Sequence, residues 1–172
     1  TKVEVVDTST REKDKYEDFL NNQLQVIVVL SQLGEDLMAY GNSFSSLYIP
    51  FQRFLQCDNC KIQKPIDEIN YKFNNSAFSW VCEHCNKVCT CKKPIDRRTT
   101  DEAKITVKRW SPHEIKIKYH PLSRRKVFLW NTPKDLVKHI KNGDKFYLRD
   151  FPWEMIESVL AGKHFEFAPD II

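Results

Sequence analysis

The stretch that decides the fold runs from residue 57 to residue 91, CDNCKIQKPIDEINYKFNNSAFSWVCEHCNKVCTC. It holds all six cysteines of the chain, with one pair at Cys57-x-x-Cys60, a second at Cys82-x-x-Cys85, and 21 residues between the pairs. A CxxC pair turns tightly enough for two thiolates to bind one ion, and two such pairs supply the four ligands of a tetrahedral site. Soft thiolate ligands in that geometry favour zinc, so the stretch predicts a structural Zn²⁺ site.

The residues between the two pairs predict the hairpin of a zinc ribbon, with strands at 69–73 and 77–81. We therefore assign residues 52–99 to an inserted zinc-ribbon subdomain. So short a segment buries little core, and the metal is expected to supply much of its folding free energy. Cysteines confined to one short stretch favour a metal site over a disulfide framework, which would spread them along the chain.

Cys89 and Cys91 give the stretch more thiols than one ion needs. Three arrangements fit the sequence: both thiols lie unused beside the site, one of them replaces Cys85 as a ligand, or they contribute to a second metal site. A site closed by four thiolates has no open position for water, so zinc catalysis is not expected.

On either side of this stretch, the sequence has the patterns of a domain that contains both helices and strands. Residues 11–40 carry apolar side chains at helical spacing and predict one long helix that ends at Gly41-Asn42. Residues 44–51 predict a strand that ends near Pro50. After the cysteines, the sequence predicts strands at 105–110, 115–119 and 127–130, helices at 133–143 and 152–162, and a last strand at 165–172.

These elements predict an α+β fold in which a long N-terminal helix packs on antiparallel strands. Residues 1–51 and 100–172 would form one domain, interrupted by the zinc-ribbon insertion. The length of 172 residues fits one domain with a small subdomain.

Composition and motifs limit the classes of function. The longest apolar run, Val26–Leu30, is far shorter than the ~20 residues of a membrane span, so no membrane partner is expected. The sequence contains no glycine-rich phosphate loop, GxSxG or HExxH motif. We therefore expect a protein that is not an enzyme.

Residues 104–126 form a basic region, with eight Lys or Arg residues against Glu114 alone. Basic residues interleaved with aromatic ones can follow a phosphate backbone. Lysines on the outward positions of a hairpin also serve as ordinary protection of a sheet edge. The candidate nucleic-acid contacts are Lys116, Lys118, Arg124, Arg125 and Lys126.

Four segments, taken in order, resemble the portal proteins of tailed bacteriophages. Residues 37–44 (LMAYGNSF) resemble the YGNxF turn of that family, and residues 109–115 (RWSPHEI) resemble its W-(D/S)-P-x-x-I segment. Residues 119–123 (YHPLS) resemble its Y-N-P-(I/L)-(T/S) hairpin turn, and residues 165–172 (FEFAPDII) resemble the strand that leads into its stem.

The resemblance implies a structural subunit, represented here mainly by its wing region, of the ring at one capsid vertex. Such rings typically contain about twelve copies, and their implied partners are the terminase, capsid and tail proteins. Double-stranded DNA passes through the ring without sequence specificity during packaging and ejection. The implied location is the portal vertex of the virion, with assembly in the host cytoplasm.

Two other classes of function fit the same residues. One is a zinc-ribbon module that binds nucleic acid, whose affinity would fall steeply as salt rises. The other is a zinc-stapled domain that binds a protein partner. A zinc-dependent enzyme fits least, because the site with four cysteines is closed.

Overall fold

The computed structural model describes residues 2–6, 9–99 and 104–167. The helices are α1 (Thr10–Asp18), α2 (Val26–Tyr40), α3 (Lys134–Lys141), α4 (Lys145–Asp150) and α5 (Trp153–Leu160). The strands are β1 (Phe44–Tyr48), β2 (Phe51–Gln56), β3 (Gln63–Pro65), β4 (Tyr71–Asn74), β5 (Ala77–Val81), β6 (Val88–Cys91), β7 (Ile95–Arg98), β8 (Thr106–Trp110), β9 (Ile115–Tyr119), β10 (Lys126–Trp130) and β11 (Phe165–Glu166). Helices combined with antiparallel strand pairs confirm the predicted α+β class.

The chain divides into two compact units. The first comprises Thr1–Pro50, Thr99–Leu129 and Glu166–Ile172, and the second comprises Phe51–Arg98 and Trp130–Phe165. The predicted insertion at 52–99 differs from this division, because residues 130–165 belong to the unit of the cysteines. Helices α3 to α5 lie in that segment and supply buried apolar side chains that the short cysteine stretch lacks.

In the first unit, the helix predicted at 11–40 is interrupted. A π-helical turn at Phe19–Gln23 follows α1, and Gln25 adopts a left-handed conformation with φ of 47° before α2 begins. The Asn21 side chain explains the interruption. Its amide exchanges two hydrogen bonds of 2.9 Å with the backbone of Val3 and donates a third to the carbonyl of Glu17. Side-chain bonds of this kind compete with the regular helix. The predicted end of the helix is confirmed, since Gly41 caps α2 at φ of 70°.

Two contacts in the first unit tie α2 and β1 to β8. Strand β1 pairs antiparallel with β8, and Phe44 lies opposite Trp110. The guanidinium of Arg109 donates two hydrogen bonds to the carboxylate of Asp36, a residue of α2 that is only 3% exposed. Because a buried carboxylate is costly without a partner, this ion pair fixes the helix against the strand pair.

Strands β9, β10 and β11 form a three-stranded sheet in which β9 lies at one edge. The predicted hairpin at 115–130 is therefore present. The strand predicted at 165–172 is described only as β11, since residues 168–172 lie outside the described residues.

The second unit contains two three-stranded antiparallel sheets, of order β3-β2-β7 and β4-β5-β6. The strand predicted at 44–51 ends earlier than expected, at Tyr48, and β2 begins at Phe51 on the other side of Pro50. The hairpin predicted between the cysteine pairs is β4–β5, which pairs Tyr71 with Trp80. Helix α4 is an element that the sequence patterns did not predict.

The core of the second unit forms where β5 meets the helices. Phe78 is fully buried, and its ring lies 4.8 Å from that of Phe73 and 5.6 Å from that of Trp153 at the start of α5. Burial of aromatic rings of this size makes a large contribution to stability. Other buried apolar side chains are Leu55, Ile66, Trp80, Ile140, Leu148, Met155, Ile156 and Val159.

Within residues 2–6, 9–99 and 104–167, none of the helices has the length and apolar character that crossing a membrane requires.

Candidate metal centre

The first cysteine pair lies in a tight turn after β2. The N–H of Cys57 donates to the carbonyl of Ile62 at 2.9 Å, and the N–H of Lys61 donates back to the carbonyl of Cys57 at 3.0 Å. Lys61 follows the second cysteine and adopts φ of 62°, a conformation that favours glycine. The backbone N–H of Cys60 points at the sulfur of Cys57 at 3.4 Å.

The second cysteine pair repeats this turn after β5. The N–H of Cys82 donates to the carbonyl of Lys87 at 2.9 Å, and the N–H of Asn86 donates to the carbonyl of Cys82 at 2.8 Å. Asn86 occupies the position of Lys61 and adopts φ of 51°. The two turns therefore have the same pattern of hydrogen bonds and a left-handed residue at the same position. Cys60 and Cys85 occupy equivalent positions in them.

The two turns and β6 bring five sulfurs together. The Sγ atoms of Cys57, Cys82, Cys85 and Cys89 all lie within 4.8 Å of one another and could bind a metal ion. The sulfur of Cys60 adjoins this group and lies 3.6 Å from that of Cys82. Cys57 lies 3.7 Å from Cys85 and 2.8 Å from Cys89, measured between sulfurs.

The cysteines differ in their access to solvent. Cys57, Cys82 and Cys89 are buried, whereas Cys60 and Cys85 are partly exposed at the outer side of the cluster. Cys91 is buried two residues beyond Cys89 on β6, opposite Phe78 in the strand register. It is not among the described residues that meet within 4.8 Å.

Hydrogen bonds and burial lower the pKa of some thiols in the cluster and raise the pKa of others. Burial raises the pKa of Cys57, but N–H donors of Cys60 and Asn59 and the neighbouring thiols outweigh burial and lower that pKa to about 6. The N–H of Cys85 is the main cause of the lowered pKa of Cys82. The turns thus aim backbone donors at the sulfurs and favour thiolates, the form that binds metal.

The thiols of Cys60 and Cys89 are shifted the other way. For Cys60, an N–H donor from Ile62 lowers the pKa, but burial and donation to the neighbouring sulfurs raise it to about 12. Burial is the main cause for Cys89, and donation to Cys57 adds to it, so that its pKa is also raised to about 12. Both thiols would have to lose their protons to bind a metal ion.

The candidate nucleic-acid contacts belong to the first unit, and the cysteines belong to the second. Lys116 and Lys118 lie on β9, Arg124 and Arg125 lie in the turn, and Lys126 begins β10. All five are exposed.

Sequence patterns missed the ion pair that holds the second unit together. Arg53 on β2 is 2% exposed, and its guanidinium donates two hydrogen bonds of 2.6 Å to the carboxylate of Asp96 on β7. The same guanidinium donates to the carbonyls of Leu148 and Phe151, and Asp96 accepts the N–H of Trp153 at 2.6 Å. The pair thereby positions α4 and α5 against the sheet of β2. An arginine in a short strand gives no sequence signal that its side chain faces inward.

Comparison of the chain with family models, curated proteins and solved structures finds no match in any of the three. Its function is therefore inferred from the cysteine cluster, the packing of each unit and the segments described above.

Proposed function

We propose that Cys57, Cys60, Cys82 and Cys85 hold one structural Zn²⁺ in a zinc-ribbon arrangement. The observation that carries this proposal is the repeated turn, in which each CxxC pair has the same backbone hydrogen bonds and a left-handed residue after its second cysteine. Two equivalent turns present two equivalent pairs of sulfurs, as a tetrahedral site requires.

The repeated turn favours Cys60 over Cys89 as the fourth ligand, and two sulfur distances are compatible with that choice. A Zn–S distance of about 2.3 Å places the sulfurs of a tetrahedral site about 3.8 Å apart. The 3.7 Å from Cys57 to Cys85 and the 3.6 Å from Cys60 to Cys82 fit such edges. Cys89 lies on β6 and belongs to neither turn, although its sulfur is in contact with that of Cys57. Cys89 is then a fifth thiol that packs against the site from β6.

A zinc ion held by four thiolates has no open position for substrate or water, so its role is to stabilise the fold. We propose on this ground that the chain is not an enzyme. Hydrolase, nuclease or transferase activity that persists through purification and disappears with a single substitution would contradict this proposal.

For the biological role, we propose a structural subunit of a bacteriophage portal ring. The supporting observation is that three of the four segments resembling the portal family, 37–44, 109–115 and 165–167, are in contact in the first unit, whereas the fourth, 119–123, is exposed. Phe44 pairs with Trp110 across β1 and β8, and the rings of Tyr40 and His113 meet edge to face at 5.7 Å. Phe167 contacts Trp110 with ring centroids 5.1 Å apart. Three segments separated along the sequence are thus in contact with one another.

In this role, the subunit assembles with other copies into a ring of about twelve and meets terminase, capsid and tail proteins. DNA passes through the ring without sequence specificity, and the second unit with its zinc centre is a stabilised addition. Antibodies raised against the purified chain should label a single capsid vertex of virions from the source culture. Label on the whole capsid surface, or on no virion, would contradict the portal role and leave the zinc proposal unaffected.

A further inference from the structure

We propose that the basic hairpin, residues 116–126, binds the phosphate backbone of a nucleic-acid duplex without reading its base sequence. The inference rests on the proposed role in a DNA-handling ring for the identity of the polyanion. It assigns that contact to a particular surface of the first unit.

The basic hairpin is exposed along its whole length. Each of its eleven residues is exposed, on β9 and β10 as well as in the turn. A strand in an antiparallel sheet ordinarily buries one face against a core, and β9 beyond Ile115 buries neither. Packing within this unit therefore does not account for the side chains of the hairpin.

The cations of the basic hairpin are not neutralised. None of its five Lys and Arg side chains makes an ion pair with any described residue, and residues 115–134 contain no Asp or Glu. Several cations elsewhere in the described chain do have acidic partners. Arg53 pairs with Asp96, Lys93 with Glu157, Arg109 with Asp36, and Lys64 with Glu83. An exposed basic surface without internal partners is the electrostatic footprint of a polyanion site.

Hydrogen bonds fix the shape of the turn. The N–H of His120 donates to the carbonyl of Arg125, and the N–H of Arg124 donates to the carbonyl of His120, both at 2.9 Å. The N–H of Ser123 donates to Nδ1 of His120 at 3.2 Å. The backbone that carries the two arginines is therefore ordered before binding, which reduces the entropy cost of association.

The spacing of charges suits a phosphate strand. Lys116 and Lys118 point to the same side of β9, about 6.6 Å apart along the strand. A DNA strand places one phosphate per roughly 3.4 Å of helix axis, so these lysines span about two phosphates.

The basic hairpin also exposes apolar side chains. Ile117 and Tyr119, 38% and 66% exposed, lie on the face of β9 opposite Lys116 and Lys118, and Leu122 in the turn is 90% exposed. A protein or lipid partner would use this apolar face, and the vesicle measurement below tests that alternative separately from the duplex.

The test measures binding of the full, zinc-loaded chain to a fluorescein-labelled random-sequence DNA duplex, by anisotropy, between about 50 and 200 mM salt. We expect a Kd of about 10⁻⁴ to 10⁻⁶ M near physiological salt, the range of non-specific binding. If all five cations contact phosphates, the slope of log K against log salt is about −4.5. The double variant Arg124→Glu, Arg125→Glu should lower the magnitude of this slope by about 2.

The matched control is the double variant Lys72→Glu, Lys163→Glu, which changes the net charge equally at two exposed lysines of the second unit. It should retain the wild-type slope, and zinc content shows that each variant is folded at the metal centre. If both double variants weakened duplex binding equally, only the net charge would matter. The assignment of the contact to the basic hairpin would then be wrong. Absence of duplex binding at low salt, or binding only to phosphatidylserine vesicles, would overturn it as well, without bearing on vertex labelling or zinc content. Tight binding to one particular duplex sequence would instead favour a sequence-reading zinc-ribbon module.

Discussion

Replacing Cys60 with alanine is expected to abolish tight metal binding, whereas replacing Cys89 with alanine is expected to preserve it. Both thiols adjoin the same sulfurs, but only Cys60 belongs to one of the two CxxC turns, and its sulfur lies 3.6 Å from that of Cys82. Comparing Cys60→Ala with Cys89→Ala therefore tests two explanations. The ligands are either the cysteines of the repeated turns or simply the sulfurs that lie closest together.

The expected loss of zinc affinity follows from the number of ligands. Structural zinc sites with four ligands bind with about 10–16 kcal/mol, so an equal share for each thiolate is about 3 kcal/mol. Loss of one share weakens binding by about 100-fold or more. Cys89→Ala removes a fully buried sulfur outside the ligand set, which should cost about 1 kcal/mol of folding stability through lost packing.

The assay is metal analysis of protein purified without chelator, followed by competition with a chromophoric zinc chelator. Wild type and Cys89→Ala should each carry one equivalent of zinc, and Cys60→Ala less than half an equivalent. Co²⁺ substitution provides a second readout, since its absorption spectrum reports tetrahedral thiolate coordination. If Cys60→Ala kept one equivalent at wild-type affinity while Cys89→Ala lost it, the ligand set would be Cys57, Cys82, Cys85 and Cys89. The argument from equivalent turns would then be wrong.

Two further predictions concern stability. Asp36→Asn should lower the melting temperature of the first unit at neutral pH, because the hydrogen bond from Arg109 holds the pKa of Asp36 below its usual value. The stability that comes from a lowered pKa is present above the pKa of the unfolded chain, about 3.9, and is lost as pH falls through the pKa of the folded protein. The melting temperatures of wild type and variant should therefore converge below about pH 4. A difference that stays constant with pH would contradict this explanation. Gly143→Ala should destabilise by about 2–4 kcal/mol in urea melts, because φ is 77° and a Cβ would lie 3.0 Å from that of Phe73. The control Gly162→Ala has a similar φ of 67° but open space around it, so we expect a loss of stability of only about 1 kcal/mol. Equal losses for the two variants would show that Phe73 moves aside without cost.

Features governed by local rules could be predicted from the sequence. The CxxC pairs identified the cluster because two cysteines three residues apart share one turn in almost any context. The hairpins at β4–β5 and β9–β10 followed from alternation and turn residues. Gly41 ended α2 as expected, since a left-handed cap favours glycine.

Features that depend on distant residues could not be predicted in this way. The helix break near Gln25 is tied to the bonds between Asn21 and Val3, which lie 18 residues apart. The position of Cys89 against Cys57 requires the register of β5 and β6, where Cys89 lies opposite Trp80. Periodicity within each segment carries no information about these pairings.

The assignment of α3 to α5 to the unit of the cysteines was equally beyond local patterns. It depends on Arg53, whose guanidinium reaches carbonyls about a hundred residues further along the chain. Only the folded structure shows which of the arginines in the sequence is buried.

The division of the second unit into two separate segments sets an order of events during synthesis. Both cysteine turns leave the ribosome before the first residue of α3 has been made, so the nascent chain can bind its metal while Phe78 still lacks Trp153 as a partner. The first unit is finished later still, because Phe167, whose ring packs on Trp110, is translated after the whole of the second unit. With the proposed Zn²⁺ bound, a chain stalled before residue 130 would still expose the aromatic side chains that α5 covers in the complete unit, and chaperones bind nascent intermediates of this kind.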